Sequence, residues 1–160
     1  MDLVVREADL TNLKDQNRKQ AKQLMEMLRR VMQNELPSRI TCPLDVYHLS
    51  LDMISLHQEH FVVYFLNSKN RVISRKTIFI GSLNSTVVHP REVFHAAIQH
   101  SSASIVCVHN HPSGDPTPSQ EDIQVTQRLM KAGEIIGIEV LDHVIVAQNG
   151  YVSMKEGGLI

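Results

Sequence analysis

Two histidines and an aspartate are spaced in this chain as a zinc site requires. His109 and His111 end a short apolar run, and alternate residues of an extended segment point to the same side, so both imidazoles can face one point. Three prolines and Gly114 stiffen and bend the following loop, and the next predicted helix brings Asp122 back to that point. Two imidazoles and one carboxylate suit zinc at about 2.0 to 2.2 Å, with a fourth position left for water. The pattern therefore indicates a metal site that is open to catalysis.

Each half of this pattern also has a purely structural interpretation. A His-x-His pair alone is weak evidence for a metal. Ser119 and Asp122 form an ordinary capping box, in which a serine and an acidic residue three positions later satisfy free N–H groups at a helix start. Because a proline-rich loop joins the two halves at this spacing, the combination favours the metal site.

Length and composition exclude several classes of protein. The chain has 160 residues, 42% of them hydrophobic and 21% charged, with a formal net charge of −1. These values indicate one soluble globular domain and exclude a disordered chain. The near-neutral charge argues against a protein whose main task is to grip phosphate backbones. No apolar run approaches the roughly 18 to 20 residues of a membrane span, so we expect no membrane contact and a cytoplasmic location.

Residues 1–36 differ in composition from the rest of the chain, and their pattern predicts a separate helical segment. They contain no proline or glycine, and their apolar residues follow a 3.5-residue repeat, which is typical of a seam against another helix and makes self-association plausible. Basic residues outnumber acidic ones between Lys14 and Arg30. A solvated helix face is the simpler interpretation of this basic stripe, and contact with DNA is the alternative.

Residues 37–160 predict one domain in which strands alternate with helices. Such alternation favours an α/β fold with a mixed β-sheet flanked by helices. We predict helices over 44–56, from Pro90 to Gln99 and from Ser119 to Ala132, the last one ended by Gly133, and strands over 61–66, 71–80, 104–108 and 138–147 with a short final one at Tyr151.

The motif around the two histidines resembles that of a known family. His-x-His, seven residues and then Ser-x-x-Asp is similar to the zinc signature of the JAB/MPN (JAMM) metalloproteases, and His-Asn-His-Pro-Ser-Gly-Asp-Pro-Thr-Pro-Ser resembles its RadC branch. Matching stretches around Glu59, His89 and His143 extend the resemblance over about residues 38–160. It implies a cytidine-deaminase-like core. The helix-hairpin-helix segment that RadC proteins carry ahead of this domain is not apparent.

The resemblance also implies a mechanism and roles for named residues. His109, His111 and Asp122 would bind zinc, and a zinc-bound water would attack an amide or isopeptide carbonyl of an unknown peptide substrate. Ser119 would help to stabilise the tetrahedral intermediate, and Glu59 would act as the general base. Glu92 is the competitor for that role, but an acidic residue is favoured in the first turn of a predicted helix in any case.

Two further histidines and two further functions also fit the sequence. His89 and His143 match the family pattern and lie near predicted element ends, so each is a candidate for the outer shell of the site. A DNA-repair-associated protein without peptidase activity is the main functional alternative, and it would bind DNA through Arg18, Lys19 and Lys22. A non-catalytic interaction module is a third possibility, although that role requires no metal ligands.

Overall fold

A computed structural model describes residues 39–81 and 88–160 of the chain. The helix predicted over residues 1–36, with its apolar seam and basic stripe, lies outside the described residues. Within the described part of the chain, no helix is both long and apolar enough to cross a membrane.

Five strands form one mixed sheet. They are β1 (His60–Leu66), β2 (Val72–Ile80), β3 (Ser104–Asn110), β4 (Glu139–Ala147) and β5 (Gly150–Ser153). Their spatial order is β2-β1-β3-β4-β5. β1 is antiparallel to β2 and β3, β3 is parallel to β4, and β4 is antiparallel to β5. Every residue of β3 is buried, so side chains at its end lie in a dry interior.

Helices cover both faces of the sheet. They are α1 (Pro43–Leu49), followed by a 3₁₀ turn (Leu51–Met53), α2 (Pro90–Gln99) and α3 (Gln120–Ile136). Because strand side chains alternate, the odd-numbered residues of β1 from Phe61 to Phe65 pack with α2 and α3, and the even-numbered ones from Val62 to Leu66 pack with α1 and the 3₁₀ turn. The predicted mixed sheet flanked by helices is confirmed.

Two predicted helix boundaries are wrong. The helix predicted over 44–56 ends at Leu49, because Ser50 leaves helical geometry at φ −115° and ψ 14° before the 3₁₀ turn begins. The long helix α3 continues through Gly133 to Ile136, and Gly137 ends it in the left-handed region at φ 82°.

Gly133 lies inside α3 because the packing there has no room for a side chain. A Cβ at this position would lie 2.5 Å from the carbonyl oxygen of Ile138 and 3.2 Å from the ring of Phe94. The amides of Gly137 and Ile138 both donate to the Gly133 carbonyl, which holds β4 close to the helix end. Close approach, and not helix termination, explains the glycine.

We expect Gly133→Ala to lower the free energy of unfolding by up to about 2 kcal/mol. Alanine favours a helix over glycine by about 1 kcal/mol, but overpacking typically costs about 1 to 3 kcal/mol and the clashing atom is backbone. Urea unfolding measures this change, with Glu134→Ala, on the exposed side of the same helix, as the control. A stability gain in Gly133→Ala would contradict the close-packing explanation.

Candidate metal centre

The end of β3 and the start of α3 bring the three predicted metal ligands together. His109 lies within the last residues of β3 and is fully buried, and His111 follows directly after the strand. Ser119 is the N-cap of α3, so Asp122 lies in its first turn and is also buried. Residues separated by a whole loop therefore meet at one edge of the sheet.

The distances among these ligand atoms fit a tetrahedral metal ion. His109 Nε2 lies 2.9 Å from His111 Nε2 and 3.3 Å from Asp122 Oδ1, and His111 Nε2 lies 3.6 Å from Asp122 Oδ2. Two ligands on tetrahedral zinc, at bond lengths of about 2.0 to 2.1 Å, are separated by about 3.3 Å. His109 Nε2 thus lies at roughly this spacing from His111 Nε2 and from Asp122 Oδ1, and one donor atom from each of the three residues lies within 4.8 Å of the other two.

The carboxylate of Asp122 is oriented by the helix cap. The backbone N–H and the hydroxyl of Ser119 donate to Asp122 Oδ2 at 2.7 and 2.6 Å, and the amide of Asp122 donates back to Ser119 Oγ at 3.1 Å. These bonds hold Oδ2 from one side and leave Oδ1 directed at His109. The capping interpretation and the metal interpretation are therefore compatible, because the same bonds serve both.

Protonation at the site favours metal binding at two of the three ligands. Burial lowers the pKa of His109 more than the neighbouring Asp122 carboxylate raises it. Burial opposes ionisation of Asp122, but contacts with His109 and His111 outweigh it and hold the Asp122 pKa well below its usual range. Near neutral pH these residues are a neutral imidazole and a carboxylate, which are the forms that bind metals.

His111 differs from His109 in its hydrogen bonding. Burial acts to lower its pKa, but contacts with Asp122 and with the backbone carbonyl of Asp115 raise it overall. The carbonyl oxygen of Asp115 lies 2.8 Å from His111 Nδ1 and can only accept, so Nδ1 carries a proton. In the neutral ring, Nε2 then directs a lone pair at His109 and Asp122.

Backbone hydrogen bonds fix the loop that carries His111. The amide of His111 donates to the carbonyl of Val146 in β4, and the amide of Asn149 donates to the carbonyl of Gly114. Gly114 adopts φ 87°, a conformation that side-chain-bearing residues rarely take. The loop is therefore tied to the β4–β5 turn, which limits the movement of the His111 ring.

Glu59 lies beside the two histidines. The antiparallel register pairs Phe61 of β1 with His109 of β3, and its continuation places Glu59 opposite His111. The Glu59 carboxylate raises the pKa values of both histidines by electrostatic attraction. Glu92, the competing candidate, is exposed in the first turn of α2 with its carboxylate 3.1 Å from Arg91 Nε.

The segment around Glu59 is held by a residue that the sequence analysis did not single out. Asn110 is buried, and its side chain accepts from the amide of His60 at 2.8 Å and donates to the carbonyl of Gln58 at 3.0 Å. These bonds flank Glu59 on both sides. Alternation along β3 was an available signal, because Asn110 must point away from the face that His109 occupies.

The two outer-shell candidates differ in their positions. The ring of His143 is fully buried, and its Nε2 lies 2.8 Å from His109 Nδ1. His89 is exposed at the N-cap of α2. The structure therefore places His143, and not His89, against a predicted metal ligand.

A family model described as the RadC-like JAB domain matches residues 40–159. The chain belongs to this family. A UPF0758 protein of Geobacillus kaustophilus is 52% identical to it over 158 residues, which cover 95% of this chain and 70% of that protein. A UPF0758 protein of Geobacillus thermodenitrificans is 56% identical over 139 residues, and one of Geobacillus sp. (strain WCH70) is 66% identical over 109 residues. The chain spans 62% and 48% of these two relatives.

The Asn110 contacts predict a local effect of Asn110→Ala. Loss of both hydrogen bonds leaves the His60 amide and the Gln58 carbonyl without this partner, at a cost of about 1 to 3 kcal/mol each if they stay dry. We expect faster hydrogen exchange at the His60 amide, measured by NMR.

The matched control is Asn67→Ala at the other end of β1. The Asn67 side chain likewise makes two hydrogen bonds to the backbone, accepting from the amides of Lys69 and Arg71, but it does so in an exposed turn. Its replacement should leave the exchange rate of His60 unchanged. Equal exchange at His60 in the native chain and in Asn110→Ala would show that Asn110 does not hold this segment.

Proposed function

We propose that this chain is a zinc-dependent hydrolase of the JAMM metallopeptidase type, which cleaves an amide or isopeptide bond. The observation that supports the proposal most directly is the convergence of His109, His111 and Asp122, whose nearest nitrogen and oxygen atoms lie 2.9 to 3.6 Å apart in each pair. Family membership is consistent with it, although the names of the relatives describe no activity.

The donor set suits zinc and leaves room for catalysis. Two imidazole nitrogens and one carboxylate oxygen fill three tetrahedral positions, which is the ligand count of catalytic zinc sites. When bound, zinc supplies a Lewis acid that polarises a carbonyl and lowers the pKa of a coordinated water to about 7.

The position of Glu59 supports the proposal that it acts as the general base. Its carboxylate lies near both histidines, and the hydrogen bonds of Asn110 to the residues on either side of it restrain its backbone. In the proposed reaction Glu59 accepts a proton from the attacking water and passes it to the leaving amine nitrogen. Such positioned proton transfer contributes about 10²- to 10⁴-fold to the rate.

Ser119 has a clear role toward Asp122 and a proposed one toward the substrate. Its hydroxyl proton is directed at Asp122 Oδ2, so in this geometry it positions the ligand. To stabilise a tetrahedral intermediate it would have to turn that proton toward the substrate oxygen. The backbone N–H of Ser119 would still hold Asp122 in that case.

A cleft beside Glu59 offers the substrate access. It has a volume of about 300 Å³ and is lined by His57, Gln58, Glu59, Gly81, Pro112 and Ser113. Neither this cleft nor two larger ones, of about 510 and 480 Å³, is lined by a predicted metal ligand, but the smaller cleft contains Glu59 and also Pro112, the residue after His111. Because catalysis requires the substrate near the metal ligands, the smaller cleft is the proposed entrance.

Contact with DNA and self-association stay predictions about residues 1–36. Both rest on the basic stripe and the apolar seam of that segment, which lies outside the described residues. Salt-dependent DNA binding that disappears when Arg18, Lys19 and Lys22 are neutralised would support the first.

Replacement of Glu59 tests the proposed mechanism. We expect Glu59→Gln to retain near-stoichiometric zinc, because Glu59 is not among the three ligands, and to lose cleavage activity by about 10²-fold or more. Metal analysis coupled to a screen of peptide and isopeptide substrates measures both quantities.

Glu92→Gln is the matched control and should keep the activity of the native chain. Activity lost in Glu92→Gln and kept in Glu59→Gln would move the base to Glu92. A native chain that binds no zinc, or that loses nothing when His109→Ala removes a ligand, would contradict the hydrolase proposal.

A further inference from the structure

A row of polar side chains lies behind His109, away from the proposed zinc position. His109 Nδ1 contacts His143 Nε2 at 2.8 Å, and His143 Nδ1 contacts the Thr126 hydroxyl at 2.5 Å. That hydroxyl lies 2.6 Å from the carbonyl oxygen of Asp122. All three side chains are fully buried, so water does not compete for these hydrogen bonds.

The hydroxyl of Thr126 determines which atom donates and which accepts in each hydrogen bond of this row. A hydroxyl has one proton, whereas the carbonyl oxygen of Asp122 can only accept a hydrogen bond. At 2.6 Å, two oxygen atoms without a proton between them would repel each other. The Thr126 proton therefore lies toward Asp122, and the Thr126 oxygen accepts from His143.

The proton position at Thr126 also fixes the proton positions on His143 and on His109. His143 Nδ1 must carry a proton in order to donate to Thr126, so in the neutral ring Nε2 is an acceptor. His109 Nδ1 then donates to it, and His109 Nε2 is left with a lone pair. That lone pair lies 2.9 Å from His111 Nε2 and 3.3 Å from Asp122 Oδ1, so in the zinc-free chain the hydrogen bond between the two histidines takes its proton from His111 Nε2.

The opposite order of donors and acceptors would leave His109 unable to bind a metal. If His143 carried its proton on Nε2, it would donate to His109 Nδ1, and the proton of His109 would move to Nε2. His109 could then donate to Asp122, but it would have no lone pair for a metal. The two orders differ at Thr126, because only the first satisfies its contacts with both His143 and Asp122.

The surrounding structure holds the His143 ring in place. Asp142 accepts from the amide of His143 at 2.7 Å and from the Ser153 hydroxyl at 2.6 Å, which joins β4 to the end of β5. The ring of Phe61 packs edge-on against His143 with centroids 5.3 Å apart. Rotation of the ring is therefore restricted.

We infer that Thr126 and His143 are positioning residues that fix the tautomer of His109 and so prepare the site for zinc. The inference uses the metal site of the proposed function, but it does not require that the chain hydrolyses any bond. Hydrogen bonds from other residues to metal-binding histidines typically change metal affinity by about 10- to 100-fold.

Thr126→Val tests this inference without touching a metal ligand. Valine has nearly the same shape but lacks the hydroxyl, so His143 loses its acceptor and the opposite order becomes available. We expect the zinc affinity, measured by competition with a chelator, to fall by about 10- to 100-fold. Thr126→Ser restores the hydroxyl and should recover most of the affinity.

Ser50→Ala is the control for loss of a buried hydroxyl. Ser50 is fully buried and its hydroxyl lies 3.0 Å from the Tyr64 hydroxyl, among residues that pack on the opposite face of the sheet. It should bind zinc as the native chain does. Native-like zinc affinity in Thr126→Val, or an equal loss in Ser50→Ala, would overturn the inference.

A second measurement needs no variant. NMR of the imidazole nitrogens in the zinc-free native chain assigns each histidine tautomer, and we expect protons on Nδ1 of both His109 and His143. A proton on His109 Nε2 instead would overturn the inference even if Thr126→Val failed to fold. Zinc binding with the expected tautomers but no cleavage would leave the inference standing and remove the hydrolase proposal. A native chain that binds no zinc would overturn both the inference and the hydrolase proposal.

Discussion

Three donor groups that would otherwise prefer water are held together at the buried end of β3. Neutral imidazoles and a carboxylate lose hydration when they are buried, so their burial at 2.9 to 3.6 Å from one another must be stabilised by specific partners. Each of the three has one. Ser119 holds Asp122, the Asp115 carbonyl holds His111 and His143 holds His109. The loop conformation and the α3 N-cap follow from this requirement.

The same contacts serve folding and the site. The capping box at Ser119 starts α3 and also directs the Asp122 carboxylate. Asn110 lies between the two histidines in sequence but points to the opposite side, where it holds the start of β1 and with it Glu59. A change at either residue should therefore affect both stability and the geometry of the site.

Local spacing was sufficient to predict that His109, His111 and Asp122 lie together, and to predict most strands. His109, His111 and Asp122 were identifiable because alternation along a strand and a helix start are short-range rules. The end of α3 was predicted too early because glycine commonly ends a helix. Gly133 instead lies inside α3, where the absence of a side chain allows the close approach of Ile138 and Phe94. The contact of Thr126 with His143 was not predicted from the sequence, because it too depends on packing between elements. It joins residues 17 positions apart across a helix and a strand, and no local pattern contains that distance.

The two histidines obtain their orientation by different means, and the sheet explains the difference. His111 lies in a loop, where the backbone carbonyl of Asp115 is free to accept from its Nδ1. His109 lies in a central strand, where neighbouring carbonyls take part in sheet pairing with β1 and β4. A ligand there must rely on a side chain from an adjacent element. β4 pairs Cys107 with His143, which sets His143 diagonally across from His109 on the same face. The partner of the buried His109 is therefore His143 on the next strand, and the partner of His143 is Thr126 in α3.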